Sequence, residues 1–78
     1  AAAKELAPSG IRVNCVAAGM ISTRMNGQLS EEERKSFVSA QPIAREGTAE
    51  EVASAVYFLS RQKYVTGEVL RVNGGALI

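Results

Sequence analysis

The sequence predicts an α/β fold built around one βαβ unit whose sheet is incomplete without further strands. Two observations predict it: strand patterns at 11–17 and 68–73, and two helices with clear start signals between them. Because strand–crossover–strand connections are right-handed, the two strands are predicted to be parallel. Two parallel strands do not form a stable sheet alone. A longer polypeptide or a partner is therefore expected to supply the neighbouring strands.

The first elements are a helix end at 1–8 and the strand at 11–17. Residues 1–7 are strong helix formers, and Pro8 and Gly10 end the helix. In 11–17 apolar and polar residues first alternate, and the run then becomes apolar on both faces. This pattern is typical of a covered parallel strand.

A short helix is predicted from Ser30 to about Ala40. Ser30 and Glu33 have the spacing of a capping box. Leu29 and Phe37 are the expected apolar anchors of this helix.

A longer helix is predicted at 49–61. Thr48 and Glu51 form the second capping-box pattern. Val52, Val56 and Leu59 follow at helical spacing, so one broad face is expected to be buried. The strand at 68–73 comes next, and Asn73 with the two glycines that follow is expected to end it in a turn.

Composition excludes several functional classes. The chain has 78 residues, a net charge of +1, one cysteine and no histidine. The charge gives no indication of a nucleic-acid or membrane partner, and no apolar run approaches the ~18 residues of a membrane span. With no leader visible, a cytoplasmic location is expected. A Cys/His metal site and a histidine-activated nucleophile are excluded, and Cys15 is expected to pack as a small buried residue.

The loop after the first strand is the candidate site, because ligands in open α/β sheets lie outside the carboxyl ends of strands. Gly19 allows a tight turn and close approach of a ligand. The amides of Met20 and Ile21 are free to bond a ligand once the chain leaves the sheet, and Thr23 offers a hydroxyl. Composition alone favours a plain loop that binds nothing.

Three segments carry a specific resemblance: "LAPSGIRVNCVAAGMISTRM", "PIAREGTAEEVASAVYFLS" and "YVTGEVLRVNGG". In order and spacing they resemble the C-terminal segment of the short-chain dehydrogenase/reductases, and among these the 3-oxoacyl-acyl-carrier-protein reductases. The resemblance implies that residues 1–78 are the C-terminal fragment of one Rossmann-like domain. It also implies NADP or NAD as cofactor, a cofactor loop at 18–25 and a lid over the substrate at 26–44.

The resemblance further implies cofactor-binding residues. The Ile21 backbone would bond the nicotinamide carboxamide, and Thr23 would hold the carboxamide or the pyrophosphate. Ala18 stands where the family has a proline, which should loosen the loop without removing a contacting side chain. The complete set is Ala18, Gly19, Met20, Ile21 and Thr23.

The family's catalytic groups are missing from these 78 residues. There is no Tyr-x-x-x-Lys pair, because Tyr57 and Tyr64 are followed at the fourth place by Arg61 and Glu68. Lys4 would need a tyrosine before residue 1. The family's catalytic serine and glycine-rich turn are also absent, so no catalytic residue is predicted and the isolated chain is expected to be inactive.

Three functions remain open, the third of which is a self-contained small binding module. The first is the C-terminal part of an NAD(P)(H)-dependent oxidoreductase that reduces a carbonyl, such as a 3-oxoacyl thioester of fatty acid biosynthesis, or oxidises the alcohol. It would form a homo-oligomer, a tetramer in the family, through its last helix and strand. The alternative is a non-catalytic truncated member that assembles with intact subunits. Arg45 is expected to pair with Glu50 or Glu51, or to contact a phosphate-bearing substrate.

Overall fold

The computed structural model describes residues 1–22 and 30–76. In these ranges β1 and β2 form a two-stranded parallel sheet, with Cys15 opposite Val69 and Ala18 opposite Val72. The predicted α/β fold with a parallel sheet is confirmed. The elements in order are α1 (Ala2–Leu6), a 3₁₀ turn (Ala7–Ser9), β1 (Cys15–Ala18), α2 (Glu31–Ser39), α3 (Ala49–Arg61) and β2 (Val69–Val72).

The first strand begins later than the predicted range of 11–17, because the residues before Cys15 bond through side chains. The Asn14 side chain donates to the carbonyl of Val65 at 3.0 Å and accepts from the N–H of Glu68 at 3.0 Å. These bonds take the place of regular ladder bonds. The second strand, predicted at 68–73, is likewise shorter.

Arg12 holds the end of α3. Its guanidinium donates to the carbonyl oxygens of Leu59 at 3.0 Å, Ser60 at 3.0 Å and Val65 at 3.1 Å. The last carbonyls of a helix have no partner within the helix, and a cation at this end also interacts favourably with the helix dipole. Arg12 therefore joins the segment before β1 to the carboxyl end of α3.

Both capping boxes are present. The Ser30 hydroxyl accepts from the N–H of Glu33 at 3.1 Å, and the Thr48 hydroxyl accepts from the N–H of Glu51 at 3.1 Å. Each glutamate carboxylate accepts in return from the N–H of the capping residue. The start signals of α2 and α3 in the sequence are therefore confirmed, and α3 has the predicted bounds.

The helices differ in how they pack. α3 contacts both strands, and Leu59 on this helix is 7% exposed. Within the described ranges α2 packs on no other helix or strand, and Arg34 joins it to Glu46 at 2.7 Å. Phe37, predicted as an anchor of α2, is therefore 57% exposed, and Leu29 lies outside the described residues.

The sheet is open on its edges. Cys15 is exposed, contrary to the prediction, because the described residues place nothing over its side of the strand. In this part of the chain only Ile21 and Leu59 are buried apolar residues. This exposure agrees with a sheet that lacks neighbouring strands. Large apolar side chains that remain exposed are Leu6, Ile11, Phe37, Ile43, Val56, Tyr57, Phe58, Tyr64, Val69 and Leu70.

No helix within 1–22 and 30–76 has the length and apolar character needed to cross a bilayer. The same residues contain no group of three or more side chains arranged to hold a metal ion.

Candidate functional site

The candidate site begins where β1 ends. The N–H of Gly19 donates to the carbonyl of Val72 at 2.9 Å and extends the ladder by one bond. A Cβ on Gly19 would lie 2.7 Å from the Cβ of Asn73 and 2.8 Å from its Cα. Glycine is therefore required here because the backbone after β2 comes close. The close approach expected of a ligand at Gly19 is made by Asn73.

The next residues are held by Gly47. The N–H of Gly47 donates to the carbonyl of Met20 at 2.9 Å, and the N–H of Ser22 donates to the carbonyl of Gly47 at 2.9 Å. Ile21 lies between these bonds as a single parallel bridge to Gly47. Its side chain is buried, with the residue 9% exposed. Gly47 therefore holds the backbone of the turn after β1 on both sides of Ile21.

The amides of Met20 and Ile21 are available as donors. Neither N–H donates a hydrogen bond to any residue in 1–22 or 30–76. Because neighbouring residues of an extended chain point their N–H groups to opposite sides, the N–H of Ile21 is directed away from Gly47. A ligand oxygen at this edge of the sheet can accept from it.

A connector segment, defined as residues 41–48, joins the ends of both strands to the start of α3. The N–H of Ile43 donates to the carbonyl of Gly74 at 3.0 Å. The Gln41 side chain donates to the carbonyls of Ile43 and Arg45, both at 3.1 Å. The turn after β2 that receives this segment has positive φ at Gly74 and Gly75, as expected of a glycine turn.

An ion pair holds the connector segment to α3. Arg45 donates through both terminal nitrogens to the two carboxylate oxygens of Glu51, each at 2.9 Å. Hydrogen bonding from the Arg45 side chain, together with the N–H of Thr48, lowers the pKa of Glu51 to about 2. The same pair raises the pKa of Arg45. The expected partner of Arg45 is therefore Glu51 rather than Glu50.

These residues surround a cleft of about 310 Å³ at the carboxyl end of the sheet. Met20 and Ile21 form part of its wall. The connector segment and the turn after β2 form the remainder, with Gln41, Ile43, Arg45, Gly47, Asn73 and Gly74 among the lining residues.

A family model described as enoyl-(acyl carrier protein) reductase matches residues 1–76. The chain belongs to the short-chain dehydrogenase/reductase family. It is 49% identical over 75 residues to 3-oxoacyl-acyl-carrier-protein reductase FabG of Aquifex aeolicus. That match covers 94% of this chain and 30% of the relative. The chain therefore spans about a third of the length of the curated relatives it matches.

Solved structures of family members have the same local fold. A small-chain dehydrogenase in complex with NADPH superposes with a TM-score of 0.81 at 37% identity, covering 96% of this chain and 35% of that one. A 3-oxoacyl-acyl-carrier-protein reductase of Brucella melitensis with bound NAD gives 0.83 at 37% identity, covering 95% and 27%. These relatives confirm the Rossmann-like architecture inferred from the sequence motifs.

The residues that the family resemblance implied as cofactor ligands fall into three groups. Met20 and Ile21 lie together at the cleft, and their amides have no hydrogen-bond partner within the described residues. Ala18 is the last residue of β1 and is exposed, while Gly19 packs against Asn73. Thr23 lies outside the described residues.

Sequence reasoning missed Gly47 as a structural residue of the site. A Cβ at Gly47 would lie 2.9 Å from the Cδ1 of Ile21, so the two residues are in tight contact. The only available signal was a glycine directly before the capping residue Thr48, which is common in helix-entry loops. Its partner lies more than twenty residues earlier, and no local pattern indicates that distance.

Proposed function

We propose that residues 1–78 form the C-terminal part of an NAD(P)(H)-dependent short-chain oxidoreductase located in the cytoplasm. The substrate class is a carbonyl compound or the corresponding alcohol, with a 3-oxoacyl thioester as the first candidate. The names of the family members FabG of Aquifex aeolicus and the reductase of Brucella melitensis support this choice. The bound nicotinamide would supply or accept the hydride.

The observation that carries the proposal is the N–H of Ile21 after the carboxyl end of β1, which donates to no residue in 1–22 or 30–76. An amide donor at this edge fits the oxygen of a nicotinamide carboxamide, which needs a donor of this kind. The neighbouring N–H of Met20 is free within the described ranges as well. Ala18, Gly19 and the hydroxyl of Thr23 would complete this part of the cofactor pocket.

The proton-transfer groups of the reaction would lie outside residues 1–78. A general acid must reach the carbonyl oxygen of the substrate, and the sequence has no Tyr-x-x-x-Lys pair to provide it. We therefore expect the 78-residue chain alone to transfer no hydride. The complete polypeptide would position the missing groups against the cleft.

The test uses the complete polypeptide that carries these residues. Binding of NADPH and NADH is measured by the change in nicotinamide fluorescence, and turnover is followed with an acetoacetyl thioester. Saturable binding with consumption of the reduced cofactor supports the proposal. A complete polypeptide that binds neither cofactor overturns it.

A variant of Thr23 tests the side-chain part of the pocket. Thr23→Val removes the hydroxyl and keeps the shape, so loss of one hydrogen bond is expected to weaken cofactor affinity by about tenfold. Ser54→Ala removes one hydroxyl from the exposed surface of α3 and is expected to leave the affinity unchanged. Equal affinities for Thr23→Val and the parent would remove Thr23 from the pocket.

The exposed apolar surface supports association through the last helix and strand. Phe58 on α3 and Leu70 on β2 are exposed in the described structure. We propose that a second copy covers them in a homo-oligomer. Phe58→Asp in the complete polypeptide is expected to shift the assembly to smaller species in light scattering, whereas Ser36→Asp, on the exposed side of α2, serves as the control and should leave the assembly unchanged.

The same surface favours the second candidate function, a non-catalytic piece that assembles with intact family members. The measurement that distinguishes them is a binding assay between the 78-residue chain and an intact relative at micromolar concentration. Association without any cofactor turnover supports this alternative. A complete polypeptide that turns over the cofactor by itself removes it.

A further inference from the structure

We infer that Glu51 and Arg45 are positioning residues for the cofactor: their ion pair fixes Gly47, which in turn holds Met20, Ile21 and Ser22 at the end of β1. This inference rests on the proposed cofactor site and assigns to it two residues that do not touch the cofactor themselves. Neither side chain contacts the free amides directly.

Glu51 accepts hydrogen bonds from the residues on both sides of Gly47. Its carboxylate accepts from both terminal nitrogens of Arg45 and from the N–H of Thr48, all at 2.9 Å. Arg45 and Thr48 lie on either side of Gly47 along the chain. One carboxylate therefore binds the side chain of Arg45 before Gly47 and the backbone of Thr48 after it.

Gly47 in turn holds the backbone of the turn after β1. Gly47 makes two backbone bonds, to Met20 and to Ser22, at 2.9 Å each. These bonds set the orientation of the two peptide units on either side of Ile21. A Cβ on Gly47 would lie 2.9 Å from the Cδ1 of Ile21, so the two residues are in close contact. A displacement of Gly47 would therefore also displace the N–H of Ile21.

The opposite end of the connector segment, residues 41–45, is held by contacts that do not involve Glu51. Gln41 donates to the carbonyl of Arg45, and Ile43 donates to the carbonyl of Gly74. With these contacts intact, the end of β2 still holds residues 41–45 when Glu51 is altered. The section from Arg45 to Thr48 then loses its contacts with the Glu51 carboxylate and keeps the Arg34–Glu46 ion pair as a side-chain contact to α2.

Exposure makes the pair testable without loss of the fold. The Arg45 and Glu51 side chains are 55% and 43% exposed. Their replacement opens no cavity in the apolar core. A change in cofactor binding can therefore be separated from a change in folding.

The experiment compares Glu51→Gln with Glu50→Gln in the complete polypeptide. Both variants remove one negative charge from the first turn of α3, but Glu50 has no hydrogen bond to the connector segment in the described structure. We expect the Kd and KM for NADPH or NADH to rise about five- to tenfold in Glu51→Gln, since charge-assisted bonds are lost. The kcat is expected to change less than twofold, and Glu50→Gln should match the parent.

Two further variants test the pair as a unit. Arg45→Lys keeps the charge but loses the two-point geometry, so an intermediate rise in Kd is expected. Arg45→Ala combined with Glu51→Gln should weaken binding no more than either change alone, because both remove the same contact.

The outcomes are distinct. If the parent binds no cofactor, the proposed function fails and the inference fails with it. If the parent binds and Glu51→Gln binds equally well, the inference alone is overturned. A lower Tm with unchanged cofactor affinity also overturns it, because the pair would then only stabilise α3. If Glu51→Gln does not fold, Arg45→Lys decides by the same criteria.

Discussion

At the scale of single residues, two glycines near the site differ in what surrounds them. A side chain on Gly19 would meet the backbone of Asn73, whereas one on Gly47 would meet only the end of the Ile21 side chain. Neither has positive φ, so conformational strain is the same in both cases. The difference between them comes from whether the neighbour can move.

The first prediction compares Gly19→Ala with Gly47→Ala. In Gly19→Ala the ends of β1 and β2 must separate, so the free energy of unfolding is expected to fall by about 1–3 kcal/mol. Gly47→Ala should cost less, because Ile21 can change rotamer. Urea unfolding of the complete polypeptide measures both. A larger loss for Gly47→Ala would contradict the close approach of Asn73.

The second prediction concerns pH. The pKa of Glu51 is lowered from 4.5 to about 2 by the hydrogen bond from Arg45 and the N–H of Thr48. Because the folded-state pKa lies below the unfolded one, the stabilisation is complete above about pH 4.5 and is lost as the pH falls toward 2. As the pH is lowered from 4.5 to 2, the melting temperature of the complete polypeptide should therefore fall less steeply in Glu51→Gln than in the parent. Parallel curves for the two proteins would refute the pairing with Arg45.

At the scale of elements, local signals set the helices and distant contacts set the strands. α3 begins at the predicted residue because Thr48 and Glu51 are neighbours in sequence and form their bonds within one turn. β1 begins late because Arg12 and Asn14 bond to residues around fifty positions further along the chain. Hydrophobic alternation does not reveal such partners.

The same difference applies to the candidate site. Its position was predictable, since it follows from where a strand of a parallel sheet ends. The free amide of Ile21 was predictable for the same reason. The support from Gly47 was not, because it depends on how the connector segment returns to the sheet. The wrong prediction for Cys15 has a related cause: burial of a strand residue depends on neighbours that its own segment does not contain.

The third prediction tests the link between β1 and α3. Arg12→Met keeps an unbranched apolar stem but removes the donors to the carbonyls of Leu59 and Ser60 at the end of α3 and of Val65 beyond it. The expected loss is about 1.5–3 kcal/mol of unfolding free energy. Arg61→Met, at the same end of α3, removes a contact with the Tyr57 ring at 6.0 Å and one exposed charge beside the helix end, and should cost less than about 1 kcal/mol. Guanidinium unfolding of the two variants gives the comparison, and equal losses would argue against the role of Arg12.

At the scale of the whole molecule, the chain is extended for its length. Its radius of gyration is 15.2 Å, and its dimensions are 48 × 24 × 19 Å. A compact domain of 78 residues is expected at about 11–12 Å. With so little apolar surface covered, the free energy from burial is too small to offset the loss of chain entropy.

The fourth prediction follows from this shape. The 78-residue chain by itself is expected to show no sharp thermal transition and to bind a hydrophobic dye, as loosely packed states do. The complete polypeptide should unfold in a cooperative transition and bind little dye. Calorimetry with dye fluorescence makes the comparison. A sharp transition in the 78-residue chain would instead indicate a self-contained binding module.

The parallel pairing of the two strands also has a consequence for synthesis of the protein. Asn14 and its partner Glu68 are 54 residues apart, so β1 leaves the ribosome well before β2 exists. At about 5–20 residues per second, 54 residues take about 3–11 s, far longer than a helix needs to form. During that interval the edge of β1 that later pairs with β2 has open hydrogen-bonding groups, as does any unpaired strand. The nascent chain therefore passes through a stage of several seconds in which this edge can pair with the wrong strand.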